Sequence, residues 1–228
     1  MKKIIVQNYI DFIETPSIAL HLIASLIFFV LSMVITYYAA SYTDGFSEGN
    51  VVPDLLLDHL PILKVGYLFF QGAVAVVVAL ILVLLYNPKY IPFTFECTAL
   101  FFLIRSIFMV MTHLSAPSVE SYSFITHEHH VKETLFTVSS GNDLFFSGHA
   151  GFPYLLALIF WSNKHLRYFF LLCSLIGAGA VIMGHLHYSI DVFSAYFITF
   201  GIFEIAKRLF AKEFRFTPEQ TLPLSQIV

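Results

Sequence analysis

Residues 18–38 read IALHLIASLIFFVLSMVITYY, without one Asp, Glu, Lys or Arg. At a rise of 1.5 Å per residue, a helix of this length crosses the roughly 30 Å hydrocarbon core of a bilayer. Five further apolar runs follow, at 62–86, 93–111, 147–161, 166–183 and 190–210. None alternates with a period of two, which disfavours a barrel and predicts helices. The run at 147–161 is the shortest, and it spans only if residues 144–146 or the turn after it extend the helix. The expected fold is therefore all-α: a polytopic membrane protein with six transmembrane helices.

The whole chain agrees with that reading. Of 228 residues, 58% are hydrophobic and 12% charged, and mean hydropathy is +0.80. Soluble domains carry charge at roughly a quarter of positions, so a soluble enzyme and a disordered chain are both excluded. The net charge of −3 shows no basic surface for nucleic acid. Cys97 and Cys173 both lie in apolar runs and form no metal-binding pair pattern. The first run is longer than a signal-peptide core and starts well after Asp11 and Glu14, which favours an uncleaved span over a cleaved leader.

Basic residues give the orientation. Lys2, Lys3, Lys89, Lys164, Arg167, Lys207, Arg208, Lys212 and Arg215 fall on connections that share one side, cytoplasmic by the positive-inside rule, and both termini are expected there. The division expected is a cytoplasmic segment at 1–17, a six-helix membrane domain at 18–211 and a cytoplasmic tail at 212–228. The opposite connections hold Asp44, Glu48, Asp54 and Asp58, a long segment from 113 to 146, and a short turn at 185–189, with Lys64 and Lys132 their only basic residues. His59, His113, His127, His129, His130, His185 and His187 lie in or beside them, and His149 stands in the first turn of the fourth run. Histidine chemistry would then face the periplasm, lumen or exterior.

Two clusters open helices on that face. In the first, Asp143 precedes Ser147-Gly148-His149: Ser147 suits an N-cap, Gly148 lets backbone approach a ligand, and a helix N-terminus attracts phosphate. In the second, His187-Tyr188-Ser189-Ile190-Asp191 places His187 and Asp191 at i and i+4, where a shared helical face lets the carboxylate hold the imidazole in a reactive tautomer. Each has an ordinary alternative, a chance tripeptide and a satisfied polar pair. Ionisable groups bordering spans are costly, however, and two such clusters at one depth mark a site.

At these residues the chain resembles the sphingomyelin synthase family, a branch of the type 2 phosphatidic acid phosphatase superfamily that transfers phospho-head groups between lipids. Ser147-Gly148-His149, and His187-Tyr188-Ser189-Ile190-Asp191-Val192 with Ala195-Tyr196-Phe197, look like its two signature blocks, and Asp143 matches the acidic position of the first. Pro53-Asp54, Arg105-Ser106 and Thr112-x-Leu114-x-x-Pro117 are similar to earlier, less specific blocks. Gly141-Asn142 stands where the family has Cys-Gly, Ala150 replaces a Thr, and the Lys-x6-Arg-Pro motif of the wider superfamily is absent, which argues against an ordinary phosphatidic acid phosphatase.

The resemblance and the residues together imply one mechanism. His187 attacks the phosphorus of a phospholipid, Asp191 holds its tautomer, and His149 protonates the departing diacylglycerol. His149 then deprotonates an acceptor, ceramide or another lipid alcohol, as it attacks the phosphohistidine. Arg105, Asp143, Ser147, Gly148 and Tyr188 are expected to line the substrate site, with Arg105 either neutralising phosphate or tied to a carboxylate such as Asp143. Water as acceptor would make the same site a lipid phosphatase or phospholipase C. A transporter would instead need a relay through Arg105, Asp191 and Glu204.

The expected partners are membrane phospholipid and lipid-alcohol substrates, with no cofactor and no metal. His127 and His130, spaced i and i+3, read better as a solvated loop than as half a metal site. Glu120, Glu128 and Glu133 are candidates for a carboxylate that supports the histidines, and each reads better as a solvated-loop charge. Gly177-Ala178-Gly179-Ala180 reads as a packing stripe, and phenylalanine pairs such as Phe69-Phe70 read as core or lipid-facing aromatics.

Overall fold

The computed structural model describes residues 2–14, 17–44, 51–112, 114–118 and 144–217. Among these residues there is no strand. The helices are α1 (Lys2–Ile13), α2 (Ile18–Asp44), α3 (Gly66–Tyr86), α4 (Ile91–Met111), α5 (Gly148–Ile159), α6 (Lys164–Met183), α7 (Ser189–Leu209) and α8 (Ala211–Phe216), with single 3-10 turns at Leu57–His59 and Pro88–Tyr90. Five of them, α2, α3, α4, α6 and α7, are long and apolar enough to cross a membrane. The chain is compatible with a multi-pass integral membrane protein.

The run at 147–161 gives only α5, of 12 residues. That is about 18 Å, well short of the ~30 Å hydrocarbon core. Neither expected extension forms: Ser147 is extended at φ −65°, ψ 120°, and Phe160 leaves the helix. Tertiary bonds set this start. Ser147 N–H donates to the Asp191 carbonyl at 3.0 Å, and Arg105 Nε donates to the Phe146 carbonyl at 3.1 Å. Arg105 lies six residues before the end of α4, so α5 begins about 9 Å inside the level at which α4 stops. The bundle therefore has five helices of spanning length and one short interior helix.

α5 is lodged among its neighbours. It packs on α6 and α7, while α2 lies along α4 and α3 along α6. Leu155, Leu156 and Ala157 are fully buried. Gly151 marks the closest approach: a Cβ there would stand 2.8 Å from Thr199 Oγ1 and 3.1 Å from the Phe101 ring. Phe160 closes the lower end against the Tyr90 ring at 4.9 Å and the Phe170 ring at 5.7 Å. Lipid tails are as apolar as leucine, so such fitted packing holds membrane helices together.

α3 starts later than its apolar run because residues 60–65 dock as extended chain beneath the α6–α7 turn, with Leu63 N–H donating to the Met183 carbonyl at 2.8 Å. The bundle thus has an upper end, where α3 and α7 begin and α4 and α6 finish, and a lower end holding α1, α8 and the Pro88–Tyr90 turn. Glu204, invoked for a relay, pairs there with Lys207 at 2.6 Å. Also at the lower end, His21 pairs with Glu213. Glu96, which sequence reasoning passed over, is buried nearby in α4, and its Oε2 has no partner among the described residues.

Replacing Phe160 by Ala opens a void between Tyr90 and Phe170, and should lower stability by about 3 kcal/mol. A fall in thermal midpoint in detergent, set against Phe169→Ala on the partly exposed neighbour, measures it.

Candidate active site

His187 and Tyr188 precede α7, and Asp191 occupies its first turn. Sequence spacing predicts a pair on one helical face, but the helix starts only at Ser189. The pair forms because Asp191, at the third helical position, reaches back over the helix start. Its Oδ2 accepts from Tyr188 N–H at 3.2 Å and lies 3.1 Å from His187 Nδ1. A carboxylate can only accept, so Nδ1 carries the proton, and in the neutral tautomer that this selects Nε2 has the lone pair. Both side chains are buried, with Asp191 at 1% exposure.

The start of α5 stands beside this pair, because Ser147 N–H donates to the Asp191 main chain. Ser147 holds the N-cap position but its side chain does not cap the helix. Its Oγ is fully buried and without a partner among the described residues, an unmet donor at a helix N-terminus. Gly148 follows, and a Cβ on it would sit 3.5 Å from Arg105 Nε. The guanidinium therefore lies against the bare glycine. Arg105 also donates through Nη1 to Met109 Sδ at 3.4 Å. A hydroxyl, a helix N-terminus and a guanidinium are the groups whose chemistry suits an anion.

His149 follows the glycine that lies against Arg105. Its ring lies flat on the Phe69 ring, 3.9 Å between centroids and 24° between planes. Its backbone is gripped as well. Pro153 has no N–H to offer the carbonyl four residues earlier, which is that of His149. The bare backbone of Gly177 closes over that carbonyl instead: a Cβ there would be 2.4 Å from the His149 oxygen. Gly179 faces open space, so only one glycine of the stripe is required by the site.

A third element frames the site from outside the spans. Asp54 Oδ2 accepts from Ser189 N–H at 2.7 Å, while its Oδ1 accepts from Leu56 and Leu57 N–H at 3.0 and 3.2 Å. Burial works to raise the Asp54 carboxyl, but the bonds from Ser189, Leu57 and Leu56 prevail and hold it below its ordinary value. The Tyr188 hydroxyl donates to the Ser115 carbonyl at 2.9 Å and accepts from Val52 N–H at 3.2 Å. Burial pushes this phenol up. A cavity of about 470 Å³ lined by Val52, Asp54, Asp58, Pro117, His185 and Tyr188 adjoins the site without containing His149 or His187.

Both clusters abut strained backbone: Phe145 has φ 119° and His185 has φ 50°. His185, left-handed after Gly184, is steadied by its contact with the Leu60 carbonyl at 3.2 Å. Sequence reasoning did not single out Phe69 or Gly177 for the site, and it noted Asp54 only within a motif. Asp143 lies outside the described residues, as do His113, Glu120, His127, Glu128, His129, His130 and Glu133. Among the described residues, no group of three His, Cys, Asp or Glu is placed to hold a metal.

Residues 140–208 match the family model described as PAP2 superfamily C-terminal. The match supports membership of the PAP2 superfamily. It takes in Ser147, His149, His187 and Asp191, and with them the reading of the chain as a phosphatase- or phosphotransferase-type lipid enzyme. No curated protein and no solved structure matches the chain.

Two expectations follow from the geometry. Gly177→Ala has no room for its methyl against the His149 carbonyl; it should cost about 1–3 kcal/mol and shift His149, lowering lipid turnover about tenfold, a loss of roughly 1.4 kcal/mol in transition-state stabilisation. Gly179→Ala should stay within about 0.5 kcal/mol of the parent. Thermal midpoint and kcat/KM measured on both variants test the contrast.

Asp54 links stability to pH. A carboxyl lowered on folding contributes stability that is fully present above its ordinary value of 3.8 and is lost as pH falls through the lowered folded value. Thermal midpoints of the parent should therefore owe none of any change between pH 7 and 5 to Asp54, and should lose its contribution below pH 3.8. Asp54→Asn, whose one amide oxygen can accept from Ser189 N–H or from Leu56 and Leu57 N–H but not from both sides, should be less stable by about 1.5–3 kcal/mol at neutral pH and lack that part of the acid loss.

Proposed function

We propose that the protein is a membrane phosphotransferase that moves a phosphocholine or phosphoethanolamine group from a phospholipid to ceramide or another lipid alcohol. The observation that carries this reading is the buried His187–Asp191 pair, which leaves Nε2 available as a nucleophile, on a turn whose Asp191 carbonyl accepts from Ser147 N–H at the start of α5. His187 Nε2 attacks phosphorus; the P–N bond forms as the bond from phosphorus to the diacylglycerol oxygen breaks, and protonated His149 gives that oxygen its proton. Asp191 stabilises the imidazolium that develops. In the second half, neutral His149 takes the proton of the acceptor hydroxyl as its oxygen attacks phosphorus and releases His187. Ser147, Gly148 and Arg105 hold the phosphate, Tyr188 fixes the turn carrying His187, and Asp143 is assigned to the same substrate site. Both substrates are lipids of the bilayer. The distribution of basic residues supports placing the upper end on the non-cytoplasmic face and both termini in the cytoplasm.

Purified protein given fluorescent ceramide with phosphatidylcholine or phosphatidylethanolamine should form labelled phospholipid. Diacylglycerol without labelled product would make water the acceptor and the enzyme a phospholipase C or phosphatase. No turnover of either donor would overturn both versions. His187→Ala should lower turnover by at least about 10³-fold, and Asp191→Asn by roughly 10²- to 10⁴-fold through loss of the tautomer. An acid-labile phosphoprotein, absent from His187→Ala, should be trapped from the parent.

A further inference from the structure

Helix α1 has three faces. One docks on the bundle: Asn8 Nδ2 donates to the Tyr86 carbonyl at 2.9 Å, and Phe12 is buried. The second is polar, with Gln7 Nε2 donating to Asp11 Oδ1 at 2.7 Å and Lys89 Nζ reaching Asp11 Oδ2 at 3.4 Å. The third carries Val6, Tyr9, Ile10 and Ile13, spaced i, i+3, i+4 and i+7, with exposures of 50, 37, 42 and 71%. Four large apolar side chains in one stripe, on a helix otherwise tied down by polar contacts, need a cover.

Three observations say what covers them. The docked face is fixed to the turn between α3 and α4, which sets the height of α1 at the lower end of two spanning helices. The next helix in the chain, α2, is of spanning length and exposes Leu20, Ile23 and Ile27 in its first turns, at the same end of the bundle. The same end is basic: Lys2 and Lys3 open α1, and Lys89, Lys207, Arg208 and Lys212 belong to the same end of the bundle. A helix with one apolar face, a polar flank and basic neighbours lies in the plane of a membrane interface, and its charges favour anionic head groups.

We propose that α1 is an interfacial helix seated in the leaflet opposite the histidine site, with the Val6–Ile13 stripe among acyl chains and the basic residues on anionic lipid. This seat does not depend on the reaction performed at the upper end. It gives the protein a second lipid contact, one that reads leaflet charge and shares no residue with the site.

Nitroxide labels on single cysteines at positions 6, 7, 10, 13 and 14 test it in the full chain, with Cys173→Ser and the buried Cys97 retained. The protein is reconstituted in vesicles of phosphatidylcholine mixed with phosphatidylglycerol. The ratio of collisions with oxygen to those with a water-soluble nickel complex should be several-fold higher at 6, 10 and 13 than at 7 and 14. Equal ratios would overturn the proposal, with the stripe in water. Spin–spin broadening at 6, 10 and 13 that disappears on dilution with unlabelled protein would also overturn it, assigning the stripe to a second copy. Replacing phosphatidylglycerol by phosphatidylcholine should make the labels measurably shallower; unchanged depth would refute the part played by anionic lipid.

Discussion

Asp191 is the residue on which the upper end depends. Its main-chain oxygen takes the Ser147 N–H and so fixes where α5 begins, while its carboxylate takes Tyr188 N–H and faces His187 Nδ1. A carboxylate at 1% exposure would be costly without donors. Here one donor is the His187 imidazole, which the carboxylate orients, and the other is the main chain of the turn before α7. Asp54 then joins the chain between α2 and α3 to the first residue of α7. Three stretches far apart in sequence meet through hydrogen bonds to two carboxylates and one carbonyl.

The depth of the site follows from the same bonds. Because α5 starts at the level of Arg105, its N-terminus lies below the upper end of α4, and the Ser147 hydroxyl is fully buried there. Electrostatic interactions are stronger where water is scarce, so a guanidinium and a helix start act on a charged group more strongly there than at an exposed surface. The strained residues Phe145 and His185 sit where the chain turns sharply into each cluster, and the surrounding contacts hold both in conformations that side chains seldom adopt.

The spanning helices were legible because hydropathy over a run of residues is a local and additive property. The length of α5 was not: the apolar pattern continues through 161, whereas the helix start is set by bonds to Arg105 and Asp191, which no local pattern encodes. The His187–Asp191 relation was visible as spacing, but its origin lies in a helix start that is two residues later than the histidine. Phe69 lacked any signal, being one phenylalanine among 26 and distinguished only by the ring it stacks on. Gly177 was visible as a small residue, but its partner, the His149 carbonyl, becomes available only because Pro153 withholds a donor.

The bond between Ser147 and Asp191 also sets an order of events during synthesis. A chain ending between residues 183 and 186 has α2 to α6 and the whole Ser-Gly-His segment, yet lacks His187, the Asp191 carboxylate and the carbonyl that fixes the start of α5. The last spanning helix acts as the keystone: on the proposed phosphotransferase reading, a nascent chain passing through a bilayer of its substrate cannot attack that bilayer until its insertion is finished.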